Sequence, residues 1–259
     1  MRPERLLPLI VACALFIENM DSTAISTALP AMALDLGTSP IALKLALTTY
    51  LIALAVFIPV SGWIADRFGA RTTFIVAIAV FLLGSIGCAV SGSLPTLVAA
   101  RFVQGMGGAL MVPVGRLVIL RTVPKSDLVV ALSWLTIPAL VGPMLGPPLG
   151  GFIVTYFDWR WIFLINIPMG LVGIVLAQRH IPQLRDEAGP LDWAGFALSG
   201  VGLALTLFGF STIGRHLVPM PIALSCLAVG LVALVAYVAH ARRHPRPLLD
   251  LALFRLETF

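Results

Sequence analysis

The chain of 259 residues is 59% hydrophobic and only 11% charged, with a mean hydropathy of +1.01. About a quarter of an ordinary soluble domain is charged, so this composition excludes a soluble globule and points to a membrane protein. The net charge of +5 has no soluble basic face to occupy, which excludes nucleic acid as a partner and favours anionic lipid headgroups.

A bilayer core of about 30 Å takes roughly 20 helical residues. Eight apolar segments meet that length: 6–30, 41–65, 72–91, 95–120, 128–153, 161–178, 192–213 and 217–239. Helices are the open-chain structure that satisfies its own backbone in hydrocarbon, so an all-α membrane protein follows. The links are short and rich in Gly, Pro or charge, which makes neighbouring spans antiparallel. The first run, ending at Pro30, is too long for a signal peptide and is read as a retained span. Cys13, Cys88 and Cys226 lie inside apolar runs and read as packing residues.

The first span carries two deep acids, Glu18 and Asp21, whose i,i+3 spacing puts them on one helical face. A charge at the bilayer centre costs at least about 2.5–3.5 kcal/mol, so that face should look into protein or water. Between the second and third spans, Gly62-Trp63-Ile64-Ala65-Asp66-Arg67-Phe68-Gly69-Ala70-Arg71 reads as a tight charged hairpin at a membrane surface. The fourth span holds Arg101, the one deep base, with Gln104 a turn away. Counting inward from Pro30 and Pro95 puts Asp21 and Arg101 within one helical turn of the same depth, so pairing is possible. Burial favours a carboxyl's neutral form and a nearby arginine its charged form, an opposition that suits a proton-exchanging group. A structural ion pair between the spans remains the alternative.

The fifth span holds Gly142-Pro143-Met144-Leu145-Gly146-Pro147-Pro148-Leu149-Gly150-Gly151. Prolines remove donors and bend a helix, and glycines admit a close neighbour. A bend is the favoured reading, with small-residue packing left open. Beyond the eighth span, His240 and His244 stand at i,i+4 and could hold a metal. They flank Arg242 and Arg243 with no adjacent carboxylate, so a solvated basic helix end is expected and no metal. Gly105-Met106-Gly107-Gly108 lies inside a span, not after a strand, and there is no P-loop, Gly-x-Ser-x-Gly or His-Glu-x-x-His. No enzyme is expected.

Arg2, Arg5, Arg67, Arg71, Arg116, Arg121, Lys125, Arg179, Arg185, Arg242, Arg243, Arg246 and Arg255 fall on one side of the membrane. Lys44, Arg160 and Arg215 fall on the other. That asymmetry puts the N-terminus and the 240–259 end in the cytoplasm. Many more Arg than Lys, with abundant Ala, Gly and Leu, suggests a bacterial inner membrane.

Four motifs in order resemble the fourteen-span drug:proton antiporter branch of the major facilitator superfamily. These are Leu15–Thr23 running to Pro30 in span 1, the 62–71 loop, Arg101–Gly108 in span 4, and Gly142-x-x-x-Gly146-Pro147-x-x-Gly150-Gly151 in span 5. Trp159–Pro168 and Pro247-Leu248-Leu249-Asp250 resemble that branch too. The resemblance implies a six-helix N-terminal bundle over 1–180, two further transmembrane helices over 181–240, and a cytoplasmic segment over 241–259. It implies a proton-coupled efflux transporter of multidrug or other small amphipathic substrates, driven by the proton gradient without a cofactor. Asp21, with Glu18, Arg101 and Gln104, would couple proton and substrate. Gly62, Asp66, Arg67, Gly69 and Arg71 would form the cytoplasmic gating loop. Gly142, Gly146, Pro147, Gly150 and Gly151 would shape the antiporter helix bend.

The chain stops where a ninth span should begin, so a second six-helix bundle is expected to be missing. The midplane cavity would then be an open groove, with Asp21 and Arg101 reachable by water. Asp21 would be needed for coupling but largely dispensable for folding. A non-transporting membrane assembly or sensor protein, half of a split carrier, and export of organic acids or other metabolites remain alternatives.

Overall fold

The computed structural model describes residues 3–214 and 217–249. Arg2, Arg215, Asp250, Arg255 and the rest of 250–259, with the side chain of Arg5, lie outside the described residues. The described chain forms ten helices: α1 (Pro3–Asp35), α2 (Pro40–Phe57), α3 (Ser61–Phe68), α4 (Ala70–Ala89), α5 (Leu94–Thr122), α6 (Leu128–Tyr156), α7 (Trp161–Leu164), α8 (Asn166–His180), α9 (Trp193–Thr212) and α10 (Met220–Ala241). They make eight segments long and apolar enough to cross a membrane, because α2 runs into α3 and α7 into α8.

Local sequence explains where these helices start, stop and break. Ser39 caps α2 by accepting the Ala42 amide at 3.1 Å, with Pro40 at the first helical position. A capping box of Ser93 and Thr96 opens α5, with Pro95 just inside. Pro59 cannot bond the preceding turn, and the chain tightens into a 3-10 turn at Ile58–Val60 before α3. Pro168 likewise lacks the amide that would bond the Leu164 carbonyl, and α7 gives way to α8 at Ile165.

Two expectations need correction. Pro30 does not end the first span, since α1 continues to Asp35; the helix tolerates the proline at the expense of one hydrogen bond. The 62–71 hairpin is not a loop but helix almost throughout. Its only break is Gly69, whose φ of 91° suits glycine and lets α4 start one residue after α3 stops.

The packing follows an internal symmetry. Helix α1 lies along α6, and α5 lies along α2; α4 packs on α5, and α8 packs on α1 and α4. Exchanging spans 1–3 with 4–6 maps the first pair onto the second, as inverted repeats require. Helix α9 rests on α2, with Phe57 and Phe196 rings 6.1 Å apart, and α10 packs on α9. Two apolar clusters form the core. One holds Ile10, Val11, Phe74, Phe81 and Val118; the other holds Ile25, Met32, Leu43, Leu97 and Phe163. Asp21 lies on α1 between the two.

Candidate functional site

Asp21 anchors a polar network at the centre of the bundle. Its Oδ2 accepts from Arg101 Nη1 at 2.5 Å, and its Oδ1 accepts from Gln104 Nε2 at 3.0 Å and Asn166 Nδ2 at 2.8 Å. Gln104 Oε1 accepts from the same Arg101 nitrogen at 2.6 Å, and its Nε2 also donates to Ser85 Oγ at 2.9 Å. The Arg101 guanidinium stacks 4.2 Å from the centre of the Tyr50 ring. Five spans therefore contribute to a cluster whose ion pair has 0% side-chain exposure at both ends.

The expected water access to Asp21 and Arg101 is thus corrected. Tyr50 and Phe163, both fully buried, flank the guanidinium. Glycines let the helices close this tightly: a Cβ on Gly84 would strike the Gln104 backbone, and one on Gly107 would strike Phe81 and Ala77. A buried pair persists only where added hydrogen bonds satisfy its remaining polar atoms. Gln104 and Asn166 supply such bonds to Asp21, whereas Arg101 Nε and Nη2 have no hydrogen-bond partner among the described residues and the guanidinium rests on the Tyr50 ring.

Glu18 shares a face with Asp21 but not its surroundings. Its Oε1 accepts a long 3.4 Å hydrogen bond from Tyr50 Oη, and its Oε2 has no hydrogen-bond partner among the described residues. Glu18 lines a cavity of about 620 Å³ with Leu54, Ile58, Gly108, Arg116 and Arg121. It also lines a neighbouring one of about 320 Å³ with Asn19, Arg116, Thr136 and Pro143. The walls are mostly apolar, and Glu18 and Arg116 are charged groups common to both. Tyr50 is the bridge, with its hydroxyl on Glu18 and its ring on Arg101.

At the other charged cluster, Asp66 pairs with Arg121 at the end of α5 at 3.1 Å, and Arg121 also holds Asp186 at 2.8 Å. Arg67 is exposed, and its carbonyl accepts from Arg185 at 3.1 and 3.2 Å. The segment after α8 straps the turn: the Ala70 amide donates to Leu184 O at 2.8 Å, and Gln183 Nε2 donates to Phe68 O and Thr72 Oγ1. Trp63 Nε1 donates to Gly189 O at 2.8 Å. Gly62 is half-buried with open space beside it, and Arg71 is half-buried in the first turn of α4.

Helix α6 runs unbroken through the Gly142–Gly151 motif. Gly142, Gly146 and Gly150, four residues apart, are buried against α1, where added Cβ atoms would meet Phe16, Thr23 and Ala24. Gly151 faces open space and Pro147 is exposed. The motif therefore splits into a glycine seam against α1, an exposed Pro147 and Pro148, and a half-buried Pro143 on the smaller cavity.

Sequence reasoning missed Tyr50, Ser85 and Asn166, whose uncharged polar groups sit inside apolar runs. The available signal was that such groups within a span seek partners on neighbouring helices. It also judged that no carboxylate stands beside His240 and His244. The fold brings Asp192 there, with its Oδ1 2.9 Å from His240 Nε2.

Comparison with known proteins places this geometry in a family. The family model for the Major Facilitator Superfamily matches residues 11–239. Proteins called MdtD, whose name associates them with multidrug resistance, are 46% identical over 251 residues in Escherichia coli and Shigella flexneri. The match covers 96% of this chain and 53% of theirs, so the chain spans about half the length of the curated relatives it matches. Among solved structures, the POT family transporter PepTSo superposes with a TM-score of 0.66 at 18% identity, over 95% of this chain and 56% of that one. A D-xylose-proton symporter superposes with a TM-score of 0.62 at 17% identity, over 92% and 68%. From its matched sequence and its eight-span helical fold, the chain is a multi-pass membrane protein that belongs to the Major Facilitator Superfamily.

Proposed function

We propose that the chain is the N-terminal half of a proton-coupled multidrug efflux transporter, in which Glu18 meets the substrate and the Asp21–Arg101 network couples it to the proton. One observation carries this reading: the mostly apolar cavity has one acid in its lining, Glu18, whose buried Oε2 has no hydrogen-bond partner among the described residues, while Asp21 is held by Arg101, Gln104 and Asn166. An apolar wall with one acid suits small amphipathic cations, because the wall accepts varied shapes and the acid selects charge. Proton entry at Glu18 would release such a cation, and a carrier exchanging the two needs no cofactor.

Tyr50 links the two acids, so a change at Glu18 is felt at Arg101. Residues 1–180 act as one moving bundle, 181–240 as its membrane-embedded appendage, and a second six-helix bundle closes the cavity from the other side. The basic residues favour cytoplasmic placement of both ends. In that orientation the Asp66–Arg121–Asp186 cluster lies at the inner face. Arg116 and Arg121 on the same cavity favour a second reading, export of organic anions.

The test uses E. coli cells sensitised to drugs. They carry either residues 1–259 alone or residues 1–259 joined to the C-terminal half of MdtD. The proposal expects the joined protein to extrude cationic dyes, Glu18→Gln to abolish this at unchanged expression, and the chain alone to move nothing. Extrusion of anionic but not cationic dyes would select the second reading. Gradient-driven transport by 1–259 alone would overturn the two-bundle mechanism.

A further inference from the structure

The two helices outside the six-span bundle carry a cluster that the transport reading does not use. Asp192 caps the start of α9, its Oδ1 accepting the Gly195 amide at 2.8 Å. Its side chain is 3% exposed, and its Oδ2 is buried with no hydrogen-bond partner among the described residues. Helix α10 runs back antiparallel to α9 and delivers His240 to it. Past the end of α10 the chain folds back, the Leu249 amide donating to Tyr237 Oη at 3.1 Å, and the His244 ring lies 5.1 Å from that of His240. One ligand atom from each of Asp192, His240 and His244 lies within 4.8 Å of the others.

We propose that Asp192, His240 and His244 bind a divalent transition metal of the zinc class, which fastens the start of α9 to the end of α10. Two imidazoles and one carboxylate are a common zinc donor set, and water completes four-coordination. The donor chemistry also sets the selectivity. Arg243 borders the same cleft, so attraction by charge alone is weak, and binding has to come from coordination. Imidazole favours Zn2+, Ni2+ or Cu2+ over Mg2+ or Ca2+.

Binding changes the existing contacts in a defined way. The metal takes the place of the hydrogen bond between His240 Nε2 and Asp192 Oδ1. His244 Nδ1 accepts a long 3.3 Å hydrogen bond from the Arg246 amide, and this contact is lost when the ring turns to the metal. Asp192 Oδ1, which already meets His240 Nε2, is the carboxylate ligand and keeps the Gly195 amide on its other lone pair.

The purified chain of residues 1–259 in detergent is loaded with Zn2+, passed through a desalting column and assayed for metal per chain. In parallel, Co2+ is titrated and its visible absorption recorded. The expected result is one zinc retained per chain and an intensified Co2+ spectrum of low-coordinate geometry. His244→Gln leaves the Asp192–His240 pair in place, so the fold is preserved while zinc affinity falls at least about tenfold. His180→Gln, on the exposed end of α8, leaves binding unchanged. Failure of the chain to retain zinc overturns the site, as does equal retention by His244→Gln. Loss of zinc in His180→Gln overturns the assignment to this cluster. None of these outcomes depends on transport, so they stand apart from the efflux reading.

Discussion

Asp21 and Arg101, 80 positions apart in the chain, meet at 2.5 Å with neither side chain exposed. The acid is on α1 and the base on α5, helices that occupy equivalent places in the two halves of the inverted repeat. Their contact is thus a tie across the symmetry axis of the bundle. Gln104, Asn166 and Ser85 complete it from α5, α8 and α4.

This seclusion revises the expectation that Asp21 is dispensable for folding. Asp21→Asn leaves Arg101 charged and buried without its counter-ion. Removing one member of such a pair costs about 3–5 kcal/mol. The variant should unfold at a markedly lower temperature in detergent, followed by tryptophan fluorescence. Adding Arg101→Met to Asp21→Asn should recover part of the loss, because no unpaired charge then remains. A wild-type melting profile for Asp21→Asn would show the pair to be idle.

Tyr50 makes two separable contacts, and Tyr50→Phe divides them. The ring over Arg101 is retained, while the hydroxyl that donates to Glu18 Oε1 is removed. The change leaves buried Glu18 Oε1 without this donor, so stability should fall by about 1–3 kcal/mol. In the protein joined to a second bundle, efflux should respond differently to external pH. A variant with an unaltered pH profile would remove Tyr50 from the coupling path.

Gly146 and Gly151 stand in one motif yet face different surroundings. A methyl at Gly146 collides with Thr23 on α1, whereas one at Gly151 meets nothing within 4 Å. Gly146→Ala should destabilise the bundle by about 1–3 kcal/mol through overpacking. Gly151→Ala should be tolerated. Detergent melting temperatures of the two proteins check this, and equal values would mean that the seam between α1 and α6 is loose.

Arg121 holds Asp66 and Asp186 together, but all three side chains are 30–61% exposed. Exposed pairs contribute at most about 1 kcal/mol, and salt screens them. Arg121→Gln should therefore leave the melting temperature nearly unchanged while loosening the strap over the Gly69 turn. Cleavage after Asp186 or Glu187 by a protease specific for acidic residues should speed up a few-fold at low salt. The difference from wild type should shrink at high salt. Unchanged cleavage would place the hold on the strap in Gln183 and Leu184 instead.

Much of this protein was legible from the chain alone. Span number and the helical class follow from length and from backbone satisfaction in hydrocarbon, and the cost of an unpaired deep charge made a pairing of Asp21 with Arg101 possible. Those constraints act on single helices or on the rare charged groups, so a one-dimensional reading captures them. Which acid faces the cavity was not legible. Glu18 and Asp21 share a helix face and chemistry and both are buried, and only the packing shows that Glu18 lines the cavity while Asp21 is held by Arg101 beneath the Tyr50 ring on α2. The same holds for Ser85 and Asn166, whose roles depend on helix rotation, and for Asp192, brought to His240 across 48 residues by the antiparallel packing of α9 and α10. Sequence spacing defines which residues share a helix face. The rotation and pairing of helices come from glycine seams and side-chain packing across spans, interactions that exist only once the bundle has closed.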